Sequence, residues 1–157
     1  MRASVIIVAV VLAACRATGQ PTAEPITDSD PAALAHQLTR QLERAARDWN
    51  QGDLDGFLSD YAPESTTTYV DGRRARQGMD FIRKHYSPRF SPGARRDSLR
   101  FEETQVRPLS PTLALVTSRF ILEQGSEVTA SGPFTLVMEL RPEGWKILHD
   151  HTSSDPR

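Results

Sequence analysis

The spacing of apolar residues changes once along this chain, and that change limits the folds available to it. Between residues 34 and 49, apolar side chains recur every three or four positions, which is the spacing of one face of an α-helix. From about residue 98 onward, apolar and polar residues alternate, as in half-buried β-strands. Helices followed by long strands predict an α+β domain, with the helices laid over one face of an antiparallel-rich sheet.

The first helix has recognisable start and stop signals. Asp30 can cap it, and Pro31 suits the first helical position. Gly52 is predicted to end it, because glycine accepts the left-handed conformation common just past a helix. We expect a short second helix over 53–58 and a third over 79–86, broken at Ser87-Pro88. The apolar stripe of the first helix consists of Leu34, Leu38, Leu42, Ala45 and Trp49.

The alternating pattern predicts four long strands, over 98–106, 112–123, 127–141 and 145–153. A shorter β-rich stretch at 66–70 precedes the turn signal Asp71-Gly72. Gly132-Pro133 falls inside the longest strand, where proline cannot donate to the ladder, so we expect a bend or bulge there. A bent sheet covered by helices encloses a concave space, and the pattern therefore predicts a pocket.

The first 15 residues predict an export signal. Arg2 precedes an apolar run at 5–14, and small residues stand before Cys15, the only cysteine. The run is about half the roughly 20 residues that cross a bilayer. The residues LAAC at 12–15 resemble a bacterial lipobox. The resemblance implies cleavage before Cys15, its lipidation, and a domain anchored in the cell envelope on the extracytoplasmic side of a membrane, periplasmic or at the cell surface.

The predicted organisation is a signal peptide at 1–14, a lipidated cysteine and disordered tether at 15–31, a domain at 32–153 and a tail at 154–157. The tether is rich in proline and polar residues with almost nothing to bury. Without the signal, 18 basic side chains face 20 acidic ones, a balance that argues against a nucleic-acid partner. We expect no cofactor and no metal.

Four short motifs follow one another in an order typical of a known superfamily. They are WNQGDLD at 49–55, YVDG at 69–72, QG at 77–78 and GWKILHDHTS at 144–153. Together they resemble the nuclear transport factor 2-like superfamily, particularly its SnoaL-like members. The resemblance implies a cone-shaped, strongly curved sheet (a cystatin-like roll) closed by helices, and commonly a homodimer through the outer sheet face. The ending also resembles the association domain of calcium/calmodulin-dependent kinase II. The superfamily hosts isomerases, dehydratases, cyclases, transport adaptors and oligomerisation modules, so the fold leaves activity open.

The last predicted strand carries two candidate catalytic residues. Strict alternation places His149 and His151 on the same face as Trp145 and Ile147. One interpretation is an acid/base or ligand-polarising pair at the pocket floor, since imidazole titrates near neutrality. Another is that both rings make structural hydrogen bonds, including at a subunit interface. A metal site would need a third ligand, such as His85, brought close by the fold.

Aspartates supply the other titratable candidates. Asp71 is a third candidate for catalysis, although aspartate before glycine is usually a turn former. Strict alternation turns Asp150 away from the histidines. Proton shuttling of the ketosteroid-isomerase kind needs a carboxylate base and hydrogen-bond donors aimed at a carbonyl oxygen. Tyr61, Tyr69 and Tyr86 could supply those donors.

Arginines complete the candidate set. Arg119 stands mid-strand, where its charge must pair with a carboxylate or meet water. The clusters at 73–76 and at 95–96 with Arg100 are interpreted as solvated loop charges, with an anionic ligand or a lipid headgroup as the alternative. The predicted ligand-binding residues are Trp49, Tyr61, Tyr69, Tyr86, Arg119, His149 and His151.

The leading hypothesis is a membrane-tethered domain that binds a small, partly apolar molecule or acts as an accessory module. It rests on a predicted pocket that lacks a recognisable catalytic set. The first alternative is an isomerase, dehydratase or cyclase that uses pocket histidine or aspartate for proton transfer. The second is a homo-oligomerisation or protein-partner module.

Overall fold

The computed structural model describes residues 30–72 and 74–156. The predicted signal at 1–14, Cys15 and nearly all of the predicted tether lie outside the described residues. The helices are α1 (Pro31–Gln51), α2 (Leu54–Leu58) and α3 (Met79–Phe90). The strands are β1 (Thr68–Asp71), β2 (Arg74–Gln77), β3 (Ser98–Ser110), β4 (Leu113–Gln124), β5 (Glu127–Arg141) and β6 (Gly144–Thr152). Within the described ranges, no helix is long and apolar enough to span a membrane.

Helix α1 begins and ends where its capping residues predict. The Asp30 side chain accepts a hydrogen bond from the Ala32 N–H at 2.9 Å, and Pro31 takes the first helical position. Gly52 follows in the left-handed conformation, with φ 82°, and its N–H donates to the Trp49 carbonyl. The predicted apolar stripe, joined by Ala46, is buried. These predictions are confirmed.

Helix α3 runs past the proline that was expected to break it. It ends at Phe90 with Pro88 inside its last turn, so that prediction is wrong. Proline at this position forfeits one helical hydrogen bond near the helix end. Packing compensates, because the Phe90 ring lies 5.1 Å from Trp49 and 6.0 Å from Phe57 between centroids.

Six strands form one curved, unclosed sheet in the order β2-β1-β6-β5-β4-β3. Strands β1 and β6 pair in parallel, and every other neighbouring pair is antiparallel. The predicted α+β class with a strongly curved sheet and amino-terminal helices is confirmed.

The segment after the Asp71-Gly72 turn is a strand, where a loop was expected. Strand β2 pairs with β1 from Asp71↔Arg74 to Thr68↔Gln77. Its side chains are all exposed, at the outer edge of the sheet. Charged residues on an edge strand discourage pairing with strands of other chains, and the arginines of β2 have this effect.

The pairing of β4 with β5 has no bulge at Gly132-Pro133, where a bend or bulge was expected. Pairing of β4 with β5 continues without a register shift through Gly132 and Pro133, and its irregularity falls between Leu122 and Glu123. Gly132 instead allows the backbone at Ser153 to approach β5 closely, because a Cβ at this position would lie 1.9 Å from the Ser153 carbonyl oxygen. Its lack of a side chain lets the segment after β6 lie against β5, where the Ser153 N–H donates to the Pro133 carbonyl.

The inner sheet face is filled at one end and hollow at the other. At the filled end, the first half of α1 supplies Leu34 and Leu38 to the same core as Val116, Met138 and Trp145. At the other end, the second half of α1 and helix α3 face the sheet across an open space. The fold thus builds a core and a cavity on one continuous surface.

Candidate functional site

The hollow end encloses a cavity of about 700 Å³. This volume lies in the range of small-molecule sites. Aromatic and aliphatic side chains form most of its wall, contributed by α1, α2, β3, β4 and β5. Among them are Trp49, Phe57, Phe101, Phe120, Phe134 and Leu136.

One of the polar groups that line this cavity is a buried carboxyl. Asp150 on β6 is only 5% exposed. The Tyr61 hydroxyl donates to its Oδ2 at 2.6 Å, and the Thr152 hydroxyl donates to its Oδ1 at 2.9 Å. Burial raises the pKa of Asp150 to about 6, although these hydrogen bonds and the His151 charge act in the opposite direction. The group therefore titrates in the range where proton transfer and pH-dependent binding occur.

Two further phenols lie beside this carboxyl. The Tyr86 hydroxyl donates to that of Tyr69 at 3.4 Å, and the Tyr69 oxygen lies 3.2 Å from Nε2 of His85. Burial raises the pKa of Tyr69 to about 12, and burial raises those of Tyr61 and Tyr86 well above the usual value. All three phenols are therefore neutral near pH 7 and able to donate hydrogen bonds.

The cavity opening carries charged groups. Asp71 and Arg89 line the cavity and are exposed to solvent. Oδ2 of Asp71 lies 3.8 Å from Nδ1 of His85. Burial, followed by the Arg89 charge, lowers the pKa of His85, so its imidazole is largely neutral at pH 7. The opening thus carries one acidic and one basic side chain.

A β-bulge in β6 decides which side chains face the cavity. His149 pairs with Val137, whereas Ile147 pairs with the next residue, Met138, so Leu148 is the extra residue of the bulge. The bulge reverses the alternation after Ile147, and Asp150 enters the cavity wall. The expected common face for Trp145, Ile147, His149 and His151 is therefore wrong, because strict alternation assumes an unbroken ladder.

The histidine pair lies on the face opposite Asp150. His149 Nδ1 is 2.6 Å from the Thr68 hydroxyl, and His151 is exposed. Their ring centroids are 6.4 Å apart. Burial, followed by the His151 charge, lowers the pKa of His149. Neither imidazole lines the cavity.

The other predicted site residues divide between cavity and surface. Arg119 points to the outer sheet face, opposite its neighbours Ser118 and Phe120, and forms an ion pair with Asp155. Its charge thus meets a carboxylate of its own chain, one of the two expected outcomes. The predicted ligand-binding residues that line the cavity are Trp49, Tyr61, Tyr69 and Tyr86.

The buried carboxyl of Asp150 lines the cavity but was not among the predicted site residues. Asp150 was expected to face away from the predicted pair, and no glycine or proline near Leu148 signals the bulge that turns it inward. His85 was considered only as a metal ligand, whereas the structure places it beside Tyr69. Across residues 30–72 and 74–156, no group of three or more His, Cys, Asp or Glu side chains is placed to hold a metal ion.

Comparison with known families agrees with this architecture. The profile of the SnoaL-like domain family matches residues 36–156, so the chain belongs to that family. Comparison with curated proteins gives no match.

Solved structures show the same fold. An NTF-2 like protein of unknown function from Shewanella oneidensis MR-1 is 26% identical, with a TM-score of 0.69, over 76% of this chain and 98% of that one. A cystatin-like fold protein of unknown function from Nostoc punctiforme is 12% identical, with a TM-score of 0.66, over 80% and 93%. An NTF2-like superfamily protein from Salmonella enterica serovar Typhimurium is 13% identical, with a TM-score of 0.62, over 80% and 94%. The last two likenesses concern the fold alone.

Proposed function

We propose that this SnoaL-like domain binds a small, largely apolar molecule in the cavity beneath α1 and α3. The observation that carries the proposal is an aromatic-walled space of about 700 Å³ that is also lined by the buried carboxyl of Asp150 and three phenols. Apolar walls with a few convergent polar groups are the usual composition of small-molecule sites. The walls would supply affinity, and Asp150 with its phenol neighbours would orient a polar group of the ligand.

A cavity-filling variant tests this proposal. Ala130 lines the cavity, so Ala130→Phe places a ring in the space. Ala75→Phe on the exposed edge strand β2 is the matched control. We expect the neutral dye N-phenyl-1-naphthylamine to bind wild type and Ala75→Phe equally, and Ala130→Phe at least about tenfold more weakly by fluorescence titration. Equal binding to all three folded proteins would refute the cavity as the binding site.

Proton-transfer catalysis is the second candidate function. It is favoured by Asp150, whose pKa is raised to about 6 beside neutral phenol donors. Such a carboxyl could remove a proton next to a carbonyl group while Tyr69 or Tyr86 stabilises the resulting oxyanion. The test is isomerisation of a β,γ-unsaturated ketone, followed by ultraviolet absorbance. Activity that disappears in Asp150→Asn would support catalysis, and the same slow rate with and without protein would exclude it for this substrate class.

The location proposed for the domain is the extracytoplasmic side of a bacterial membrane, anchored by lipid on Cys15. The support is the apolar run and the LAAC sequence at the start of the chain. We expect wild type in the membrane fraction and Cys15→Ser in the soluble fraction. Unchanged membrane retention of the variant would refute the anchor.

A homodimer through the outer sheet face is the remaining proposal, with assembly as its function. That face carries the partly buried apolar side chains Leu115 and Val137 close to His149. Sedimentation velocity should give a dimer that Val137→Arg converts to a monomer. A wild-type monomer at micromolar concentration would refute the proposal.

A further inference from the structure

The two aspartates of the inner cavity wall have different partners. Asp60 accepts a hydrogen bond from Gln41 at 2.7 Å and forms an ion pair with Arg44. Among the described residues, the side-chain hydrogen-bond partners of Asp150 are the hydroxyls of Tyr61 and Thr152. Within the described part of the chain, it forms no ion pair. A carboxylate this deeply buried is costly without a cation beside it, and the cavity leaves room for one.

The walls around Asp150 favour the same kind of occupant. Aromatic rings line the cavity. The electron-rich face of an aromatic ring attracts organic cations within about 6 Å of the ring centre. Cages of aromatic side chains bind quaternary ammonium groups in this way. The carboxylate and the aromatic wall come from different parts of the fold and are independent observations.

We infer that the cavity selects an organic ammonium ion, whose charged head lies against Asp150 while its apolar body fills the aromatic space. This inference rests on the proposed binding function and names the ligand class of the same cavity. The other lining carboxylate at the opening, Asp71, also favours a cation. Arg89, the lining arginine, is exposed at that opening.

Binding of such a cation would depend on pH through Asp150. Its titratable neighbours are the phenols of Tyr61, Tyr69 and Tyr86 and the imidazole of His151. The phenols stay neutral below pH 9, since burial raises the pKa of each. Protonation of Asp150 as pH falls through about 6 would remove the charge that attracts the ligand.

The experiment uses the full chain and two probes of equal shape. Phenyltrimethylammonium and tert-butylbenzene differ by the exchange of a charged nitrogen for a neutral carbon, and neither titrates. Calorimetry at pH 8 and pH 5 should show the cation binding wild type at least about tenfold more tightly than the hydrocarbon at pH 8. The advantage should shrink severalfold at pH 5. Asp150→Asn, with its fold checked by circular dichroism, should show a cation preference that is severalfold smaller than that of wild type at pH 8 and does not change between pH 8 and pH 5.

Each other result has a definite meaning. Equal binding of both probes to wild type at pH 8 would overturn the ammonium inference and leave the proposed binding function intact. A cation preference that is undiminished in Asp150→Asn and at pH 5 would overturn the role of Asp150. No binding of either probe would contradict the binding function itself. Should Asp150→Asn fail to fold, the comparison of the two pH values in wild type still decides the role of the carboxyl.

Discussion

The filled and hollow ends of the inner sheet face are built by the same strands, yet their side chains are used differently. At the filled end, Leu38 is 0% exposed and Met138 is 1% exposed, and the space between helix and sheet is packed. At the hollow end, Phe120 and Leu122 are only partly buried, because they face a cavity. Close packing stabilises the fold, whereas the cavity forgoes that stabilisation and leaves room for a ligand.

The largest expected difference between the two ends is in the cost of truncating a side chain. Leu38→Ala should lower the free energy of unfolding by about 2–5 kcal/mol, because it opens a void in packed surroundings. Leu122→Ala, which only enlarges an existing cavity, should cost about 1 kcal/mol. Urea denaturation of both variants measures the contrast. Equal costs would mean that the hollow end is packed as tightly as the filled one.

The next largest effect concerns the charge of Asp150. Its folded-state pKa is raised from 3.8 to about 6, so the folded state binds this proton more tightly than the unfolded state does. Stability from this group is therefore greatest at low pH and is lost as pH rises from about 4 to 6. Asp150→Asn should stabilise the protein by about 3 kcal/mol at pH 8 and by little at pH 4.

Thermal or urea unfolding across this pH range checks the Asp150→Asn prediction. Glu143→Gln, an exposed change in the turn before β6, is the matched control and should follow wild type. A stability difference between Asp150→Asn and wild type that does not vary with pH would contradict the prediction.

Removing a hydroxyl from the hollow end should have a smaller effect. The hydrogen bond from Tyr61 lowers the pKa of Asp150, so Tyr61→Phe should move that pKa above 6 and cost about 1 kcal/mol at pH 8. Carbon-detected NMR of the carboxyl group reports the shift directly. Tyr69→Phe, which leaves both hydrogen bonds to Asp150 in place, should move the pKa less.

The smallest effect is expected on the outer face beside the hollow end. Arg119 pairs there with Asp155, in the segment that follows β6, and both side chains are partly exposed. Exposed ion pairs contribute little, so Arg119→Ala should change the unfolding free energy by less than about 1 kcal/mol. A cost comparable to that of Leu38→Ala would show that this segment is integral to the core.

The regular parts of the molecule could be predicted from sequence because local signals decide them. Asp30, Pro31 and Gly52 marked the ends of α1, and alternation located all four long strands. The prediction that α3 ends before Pro88 was wrong because aromatic packing stabilises its last turn, although the proline removes one hydrogen bond. Strand β2 was missed because its pattern carries no apolar face.

The candidate site was only half predictable. The aromatic residues Trp49, Tyr61, Tyr69 and Tyr86 reached the cavity as the predicted pocket required. Whether Asp150 or the neighbouring histidines face the cavity depends on one extra residue in β6. A bulge is fixed by pairing with a distant strand, and the sequence around Leu148 carries no local mark of it.

The most direct test of cation binding at Asp150 is an NMR titration of its carboxyl group in the full chain, with and without phenyltrimethylammonium. We predict a midpoint near pH 6 in the free protein and a lower midpoint when the cation is bound. A free-protein midpoint near 4 that the cation leaves unchanged would contradict this prediction, because the carboxyl would then be neither buried in the cavity wall nor in contact with the ligand.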